Sequence, residues 1–208
     1  MIYSEDNIVA SYKGEWKNSK FHGKATVVYK SMNLYTGDIS NNKLEGHGEM
    51  IYNKDSNLAS YKGEWKKNQY SGKGALKFKN GQVWEGEWKE GDRDGQGKTL
   101  NKDGSILYEG EFKKDKMYGK GKINYDDGKS YDGDWIDDKF YGKGKYTYGD
   151  GATYDGDWID NLYHGKGHLV YAKDGVYIGD FKLGKRSGYG EITYKESGIS
   201  SKENGKKI

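Results

Sequence analysis

Pairs of carboxylates recur along the chain at a spacing that could support acid–base chemistry or bind calcium. Asp132 and Asp134 form one such pair, and Asp155 and Asp157 form another. Two carboxylates on one face of a strand could act as general acid and base, or as hard oxygen ligands. However, an acidic residue stands at the same position in eight similar segments, whereas an active site needs one constellation. We therefore interpret these carboxylates as part of a repeated pattern of charge.

The other residues that could bind a phosphate or a metal ion do not have the spacing that such sites require. The segment from Gly95 to Thr99 resembles part of a phosphate-binding loop, but Asp92 stands where that loop requires its first glycine. His22, His47 and His164 lie beside recurring glycines, and the chain has no Cys. We predict no catalytic residue, no cofactor and no metal site, and we expect the protein not to be an enzyme.

Composition narrows the remaining possibilities. The 208 residues include 33 Gly and 20 Tyr but no Pro, and the formal net charge is +3 with both signs interleaved. Such a charge pattern does not predict a nucleic-acid partner. The apolar runs are too short for a membrane-spanning helix or a signal peptide, and Asn-x-Ser/Thr sites are absent, so we expect a cytoplasmic location. Either Tyr and Trp form an unusual core, or much aromatic surface awaits a partner.

Internal repetition dominates the sequence. An aromatic–x–Gly–x–aromatic string appears eight times, beginning at Tyr12, and Ile39 replaces the closing aromatic in the second copy. A second glycine follows the first after nine residues, and a third follows two residues later, with Ala25 as the one substitute. The glycines that we predict to be structural are Gly63, Gly72, Gly74, Gly110, Gly119, Gly121, Gly133, Gly142, Gly144, Gly156, Gly165 and Gly167.

Each repeat has the two-residue alternation of a half-buried β-hairpin. Tyr131, Gly133 and Trp135 share one parity, and after a short polar turn Phe140 begins a second alternating run. Alternation with aromatic enrichment is typical of strands. We expect Trp135 to lie opposite Phe140, with one aromatic face on each hairpin.

The connections between hairpins also carry turn signals. Asp-Gly or Asn-Gly pairs stand there, as in Asp127-Gly128 and Asp150-Gly151, and they supply the positive φ angles of tight turns. The sequence therefore predicts an all-β fold: an elongated, single-layer antiparallel β-meander of tandem hairpins, twisted and able to form a groove. We infer that Tyr and Trp rings lie across the strand glycines and shield the bare backbone. Acidic and Lys residues pattern the opposite face.

The repeat resembles the MORN repeat, through its Tyr-x-Gly-x-Trp opening, its Gly-x-Gly and its period near 23 residues. The resemblance extends from about Tyr12 to Tyr194. It implies an antiparallel β-ribbon that acts as a scaffold, which dimerises, caps cytoskeletal or axonemal assemblies, or holds a partner helix. Some members of the family have been linked to phospholipids.

Three segments are predicted along the chain. Residues 1–11 form a half-repeat that caps the array or continues from further repeats upstream, because Met1-Ile2-Tyr3 repeats Met50-Ile51-Tyr52. Residues 12–194 form one repeat domain of eight copies. Residues 195–208 lose the pattern and are predicted to be a frayed basic tail.

Two functions remain open at this stage. The first is a non-enzymatic scaffold, cytoplasmic and associated with a cytoskeleton or cilium, that binds a protein helix or peptide or a second copy of itself. A single sheet has no second layer, so part of its aromatic face should stay open for a partner. The predicted contact residues are Trp84, Trp88, Tyr108, Phe112, Tyr131, Trp135, Tyr154 and Trp158. The alternative is peripheral binding of anionic phospholipid, which requires clustered Lys or Arg.

Overall fold

The computed structural model describes residues 8–173, 175–194 and 200–204, and these contain strands and turns but no helix. They divide into two contact units. The N-terminal unit comprises the described residues of Met1–Ile106 and Phe112–Asp115, and the C-terminal unit comprises those of Leu107–Glu111 and Lys116–Ile208. The predicted all-β class is confirmed.

The strands form hairpins that follow the order of the chain. In the N-terminal unit they are β1 Val9–Lys17, β2 Lys20–Tyr29, β3 Leu34–Ser40, β4 Lys43–Ile51, β5 Leu58–Lys66, β6 Gln69–Phe78, β7 Val83–Lys89 and β8 Asp92–Leu100. Strand β9, Ile106–Lys113, contributes residues to both units. The C-terminal unit continues with β10 Lys116–Asn124, β11 Ser130–Ile136, β12 Lys139–Thr147, β13 Thr153–Ile159, β14 Leu162–Val170, β15 Gly175–Lys182, β16 Lys185–Tyr194 and β17 Ser200–Asn204.

Neighbouring strands pair antiparallel within each unit. In the hairpin of β11 and β12, Gly133 lies opposite Gly144 and Trp135 opposite Phe140. The pairing of Trp135 with Phe140 is the one that the alternation predicted. The same antiparallel pairing joins β1 through β8 in the N-terminal unit and β10 through β16 in the C-terminal unit. The predicted meander of hairpins is therefore confirmed in each unit.

The two-residue turn inside each hairpin has left-handed backbone at both positions. In the turn between β11 and β12, Asp137 has φ 50° and Asp138 has φ 66°. Two consecutive positive φ angles match the right-handed twist of the flanking strands, and Asn and Asp tolerate this region better than other side chains. The sequence showed only that these turns are polar. The structure shows that Asn and Asp stand there because both positions require a positive φ angle.

A β-bulge at the second glycine interrupts each alternating run. The register with β11 passes from Gly133 opposite Gly144 to Asp134 opposite Tyr141, so Gly142 and Lys143 are extra residues on β12. Gly142 has φ 57°, where a side chain would be strained. The expectation of unbroken alternation is wrong at this point, although two extra residues preserve the parity.

The acidic residue of each repeat holds this bulge. The Lys143 N–H donates to Asp134 Oδ2 at 2.8 Å. The equivalent hydrogen bond is accepted in the other repeats by Glu15, Asp38, Glu64, Glu87, Glu111, Asp157 and Asp180. The acidic position therefore satisfies a backbone donor that the bulge removes from the ladder. The sequence alone indicated only a surface charge at this position.

The turns that connect the hairpins agree with the prediction where they are described. Gly128 and Gly151 have φ angles of 81° and 88°. Asp174, part of the predicted turn with Gly175, lies outside the described residues.

The ends of the chain are described only in part. The prediction of a frayed tail is wrong for Ser200–Asn204, which form β17 and pair antiparallel with β16. An edge strand presents unpaired N–H and C=O groups that a following segment can pair with, even without the repeat pattern. Residues 1–7, which carry most of the predicted half-repeat, and residues 195–199 and 205–208 of the predicted tail lie outside the described residues.

Candidate partner-binding face

A row of paired glycines crosses each unit and is covered by tyrosine rings. Gly133 lies opposite Gly121 on one side and Gly144 on the other. A Cβ added at Gly133 would lie 2.6 Å from Tyr131 Oη, and one added at Gly144 would lie 2.5 Å from its Cε2. The inferred arrangement of rings over bare backbone is therefore present.

The twelve glycines predicted to be structural fall into two groups. Those in the row, against which a Tyr or Trp ring or the facing glycine packs, are Gly63, Gly74, Gly110, Gly121, Gly133, Gly144, Gly156 and Gly167. Those at the bulges, with φ between 52° and 63°, are Gly72, Gly119, Gly142 and Gly165. The first group must be glycine because a ring or the facing strand lies too close for a Cβ atom. The second group must be glycine because a side chain would be strained at a positive φ angle.

The hydroxyl of each covering tyrosine is tied to its own strand. Tyr131 Oη donates to the carbonyl oxygen of Asp134 at 2.8 Å, and the equivalent bond of Tyr154 reaches Asp157 at 2.9 Å. Burial raises the pKa of both phenols, and it raises the pKa of Tyr70 to about 12. These hydroxyls therefore stay protonated, as hydrogen-bond donors, throughout the neutral range.

The tryptophans join each repeat to the one before it. Trp135 Nε1 donates to the Gly121 carbonyl at 2.9 Å, and Trp158 Nε1 donates to the Gly144 carbonyl at 2.8 Å. The Trp158 ring also meets Tyr131 of the preceding repeat edge to face, with ring centroids 5.4 Å apart. Trp65, Trp88, Trp135 and Trp158 therefore each cover the tyrosine of the repeat before them.

This mutual covering corrects one expectation about the eight predicted contact residues. Trp84, Trp88, Tyr108, Phe112, Tyr131, Trp135, Tyr154 and Trp158 are all buried, with at most 6% of each residue exposed. The expected openness of these rings is wrong, because rings that lie flat and meet edge to face seal one another without a second sheet. Whether they contribute to partner binding stays a prediction.

A second layer of residues on the same face remains accessible. Seven repeats carry an aromatic residue six positions after the second glycine, and each is half-buried or exposed; these residues are Tyr29, Tyr52, Phe78, Tyr125, Tyr148, Tyr171 and Tyr194. Tyr125 is 38% exposed. We call these residues the outer ring row. These residues could have been found from the sequence. They lie four positions after the third glycine of the repeat, or after Ala25 in the first repeat, and therefore on the same face of the strand.

Two pockets open on this face at equivalent positions of different repeats. The repeat-2 pocket has a volume of about 240 Å³ and is lined by residues that include Phe21, Val27, Tyr29, Ile39, Leu44, Met50 and Trp65. The repeat-7 pocket has a volume of about 370 Å³ and is lined by residues that include Phe140, Tyr146, Tyr148, Trp158 and Tyr163. Phe21, Val27, Tyr29, Ile39 and Leu44 of the first pocket correspond in repeat register to Phe140, Tyr146, Tyr148, Trp158 and Tyr163 of the second. The aromatic face therefore contains pockets that could accommodate apolar side chains.

The opposite face neutralises its own charge. Lys24 Nζ lies 2.6 Å from Asp38 Oδ1, and Lys166 Nζ lies 2.6 Å from Asp180 Oδ1. The hydrogen bond from each ammonium lowers the pKa of its Asp partner. These exposed pairs contribute little stability individually, but they place an anion beside each of these two ammonium groups.

The described residues hold no group of three or more His, Cys, Asp or Glu side chains that could bind a metal ion. Within the described part of the chain, no helix has the length and hydropathy needed to cross a membrane.

Tandem β-hairpins in which each repeat completes the core of its neighbour define a repeat-array protein. A family model for the MORN repeat matches residues 12–31, 35–56, 61–83, 84–106, 108–130, 131–153, 154–176 and 177–198. The chain therefore belongs to the MORN-repeat family, and the resemblance seen in the sequence is confirmed. A comparison with curated proteins finds no match.

Proposed function

We propose that the protein is a non-enzymatic scaffold that holds a helix or peptide of a protein partner against its aromatic face, within a cytoskeletal or axonemal assembly. The observation that carries this proposal is the pair of equivalent pockets beneath the outer ring row. Tyr and Trp surfaces bury much area while losing few rotamers, which suits protein recognition. The location follows from the family resemblance.

The buried floor makes this surface suitable for binding. Tyr148 and Tyr146 rest on a layer in which Trp158 and Phe140 are packed edge to face at 5.3 Å. A floor with fixed side chains loses little conformational entropy when a partner is bound. We propose that the outer ring row supplies the contacts and that the buried rings hold it in place.

Anionic lipid is the weaker candidate. Membrane attraction requires cations that are clustered and free, and it contributes about 1 kcal/mol for each basic residue near the surface. Lys143 and Lys166 on the polar face are instead paired with Asp157 and Asp180 at 2.6 Å.

The test selects random 14-residue peptides on the immobilised protein and measures their affinity for two double variants. Tyr125→Ser with Tyr148→Ser removes two members of the outer ring row. Lys122→Ser with Lys145→Ser removes two exposed side chains from the opposite face of β10 and β12 and serves as the matched control. We expect selected peptides rich in apolar residues, binding at least about tenfold more weakly to the tyrosine variant and within about twofold of wild type to the lysine variant.

Equal loss in both variants, or loss in the lysine variant alone, contradicts the proposal. Failure to select any peptide, together with pelleting on phosphatidylserine vesicles at low salt, would support lipid binding instead. Trp135→Ala with Trp158→Ala is unsuitable for this test, because the structure places both indoles in the core.

A further inference from the structure

The repeat-2 pocket differs from its counterpart by the loss of three aromatic rings. Ile39 stands where the repeat-7 pocket has Trp158, Val27 stands where it has Tyr146, and Leu44 stands where it has Tyr163. The sequence shows Ile39 as a departure from the repeat pattern, but it does not show that the other two replacements line the same space. Of the three positions, only that of Ile39 is aromatic in every other repeat, whereas the position of Val27 is aromatic only at Tyr146. Together Ile39, Val27 and Leu44 give this pocket an aliphatic floor.

The repeat-2 pocket is large enough for an aromatic ring. An apolar cavity of about 150 Å³ stays dry and takes up benzene, and the repeat-2 pocket measures about 240 Å³. Ile39, Val27 and Leu44 are each buried, so the floor is closed beneath the opening.

Hydrogen bonds fix the walls of this pocket. Asn42 Oδ1 accepts the Phe21 N–H, and Asn68 Oδ1 accepts the Leu44 N–H, both at 2.7 Å. Asn33, which also lines the pocket, accepts the Asn53 N–H through its Oδ1 at 2.9 Å. A pocket whose walls are already held requires little ordering when a ligand enters.

The geometry of the other repeats indicates what fits. The position of Ile39 holds a Trp or Phe in the seven other copies. Where that ring is present, as in Trp158, it stands edge to face against Phe140 of the preceding repeat at 5.3 Å. In repeat 2 the equivalent wall is Phe21, which keeps its ring stacked on Tyr12 at 3.9 Å.

We propose that the repeat-2 pocket is the anchor site of the aromatic face and that it receives one planar aromatic side chain, an indole or phenyl ring, from the partner. The incoming ring takes the edge-to-face place that the chain's own side chain fills in the other repeats. This inference deepens the proposed function. It rests on that function in one respect, namely that the aromatic side chain comes from a protein partner. The pocket itself can be tested without a partner.

The first experiment titrates wild-type protein, labelled at Ile and Met methyl groups, with 5-fluoroindole. We expect saturable binding with a dissociation constant of about 1 mM or tighter, which is reasonable for a fragment of about ten heavy atoms. The Ile39 and Met50 methyl signals should shift, while that of Ile123, buried in the C-terminal unit, should not. No saturable binding, or shifts elsewhere only, overturns the inference.

The second experiment fills the pocket from within. Ile39→Trp restores the side chain found in most other repeats, and it should weaken 5-fluoroindole binding at least about tenfold while circular dichroism shows a folded protein. Val27→Tyr, which introduces the side chain that Tyr146 supplies in the repeat-7 pocket, fills the same space from another strand if Ile39→Trp does not fold. Ile51→Trp adds an indole at a site that is 47% exposed and serves as the control, with binding unchanged.

The two proposals can fail separately. Undiminished binding to both filled variants shows that the ring does not enter this pocket. If peptides selected on the aromatic face still bind Ile39→Trp with wild-type affinity, the anchor assignment fails and the proposed function stands. If no peptide binds although 5-fluoroindole does, the pocket is real and the proposed function fails.

Discussion

The heptapeptide Ala-Ser-Tyr-Lys-Gly-Glu-Trp occurs twice in the N-terminal unit, at residues 10–16 and 59–65, but the closing tryptophan is buried in only one of the two copies. Trp65 is 2% exposed, and its indole donates to the Gly48 carbonyl at 3.1 Å and meets Tyr35 edge to face. Trp16 is 62% exposed. The described strands give β1 one pairing partner, β2, so no described hairpin lies in front of Trp16.

Burial is therefore a property of the array and not of the repeat sequence. Seven identical residues form the same strand twice, but only the copy that follows another hairpin has its tryptophan in the core. Each repeat completes the core of the one before it, which is the nearest-neighbour behaviour expected of repeat proteins.

The largest expected effect comes from truncating the two tryptophans separately. Trp65→Ala should lower the free energy of unfolding by about 3–5 kcal/mol, because it removes a buried indole and leaves a cavity. Trp16→Ala should lower it by less than about 1 kcal/mol, since this ring is mostly in water. Urea unfolding followed by circular dichroism measures both. Similar losses for the two variants would show that β1 is covered in solution.

A smaller difference is expected at the third glycine of the repeat. A Cβ at Gly48 would lie 2.5 Å from the Cε2 and Cζ atoms of the fully buried Tyr35, so Gly48→Ala should destabilise the protein by about 1–3 kcal/mol. The first repeat already has Ala25 at this position, beside a Tyr12 that is only half-buried. Ala25→Gly should therefore change stability by less than about 1 kcal/mol. Thermal unfolding of both variants decides whether the glycine is required by packing.

Acid should weaken the polar face before it affects the aromatic one. The hydrogen bonds from Lys24 and Lys166 lower the pKa of Asp38 and Asp180 in the folded protein. A lowered folded-state pKa contributes stability that is present above the unfolded-state value of about 3.9 and is lost as the pH falls through the folded-state value. The thermal midpoint should be flat from about pH 5 to 8 and fall below about pH 4.

Asp180→Asn should make that decline shallower. Asp155→Asn is the control, since Asp157 rather than Asp155 accepts the bulge N–H of Lys166. An equal change in both variants would mean that the decline does not come from the bulge carboxylates.

The smallest effect is expected at the hairpin turns. Asn161 Oδ1 accepts the Phe140 N–H of the preceding hairpin at 2.7 Å, whereas the equivalent turn residue of the last repeat is Gly184, which has no side chain. A Cβ at Gly184 meets only Leu162 Cδ2 at 3.6 Å, and Asn tolerates its φ of 82°. Gly184→Asn should therefore raise stability by up to about 1 kcal/mol. Asn161→Gly should lower it, and an opposite order in thermal unfolding would contradict the role of this turn.

The repeat pattern was sufficient to predict the fold, because its spacing alone sets the hairpin, the pairing of Trp135 with Phe140 and the rings over the glycines. The bulge at Gly142 was missed, since two extra residues leave the parity of the sequence unchanged. The burial of the aromatic face was also missed. Composition suggested a single exposed layer, but whether a ring is covered depends on its neighbours in the array, as Trp16 and Trp65 show. The repeat-2 pocket requires residues from three repeats to be compared in space, which no single motif contains.

The most direct test of the account is hydrogen exchange at the six tryptophan indoles, resolved by NMR of protein labelled with ¹⁵N-tryptophan. The account predicts fast exchange for Trp16 and strong protection for Trp65, Trp135 and Trp158, whose indoles donate to glycine carbonyls of the preceding hairpin. Exchange of all the indoles at the rate of Trp16 would contradict it, because the indoles would then be open to water rather than covered by the preceding hairpin.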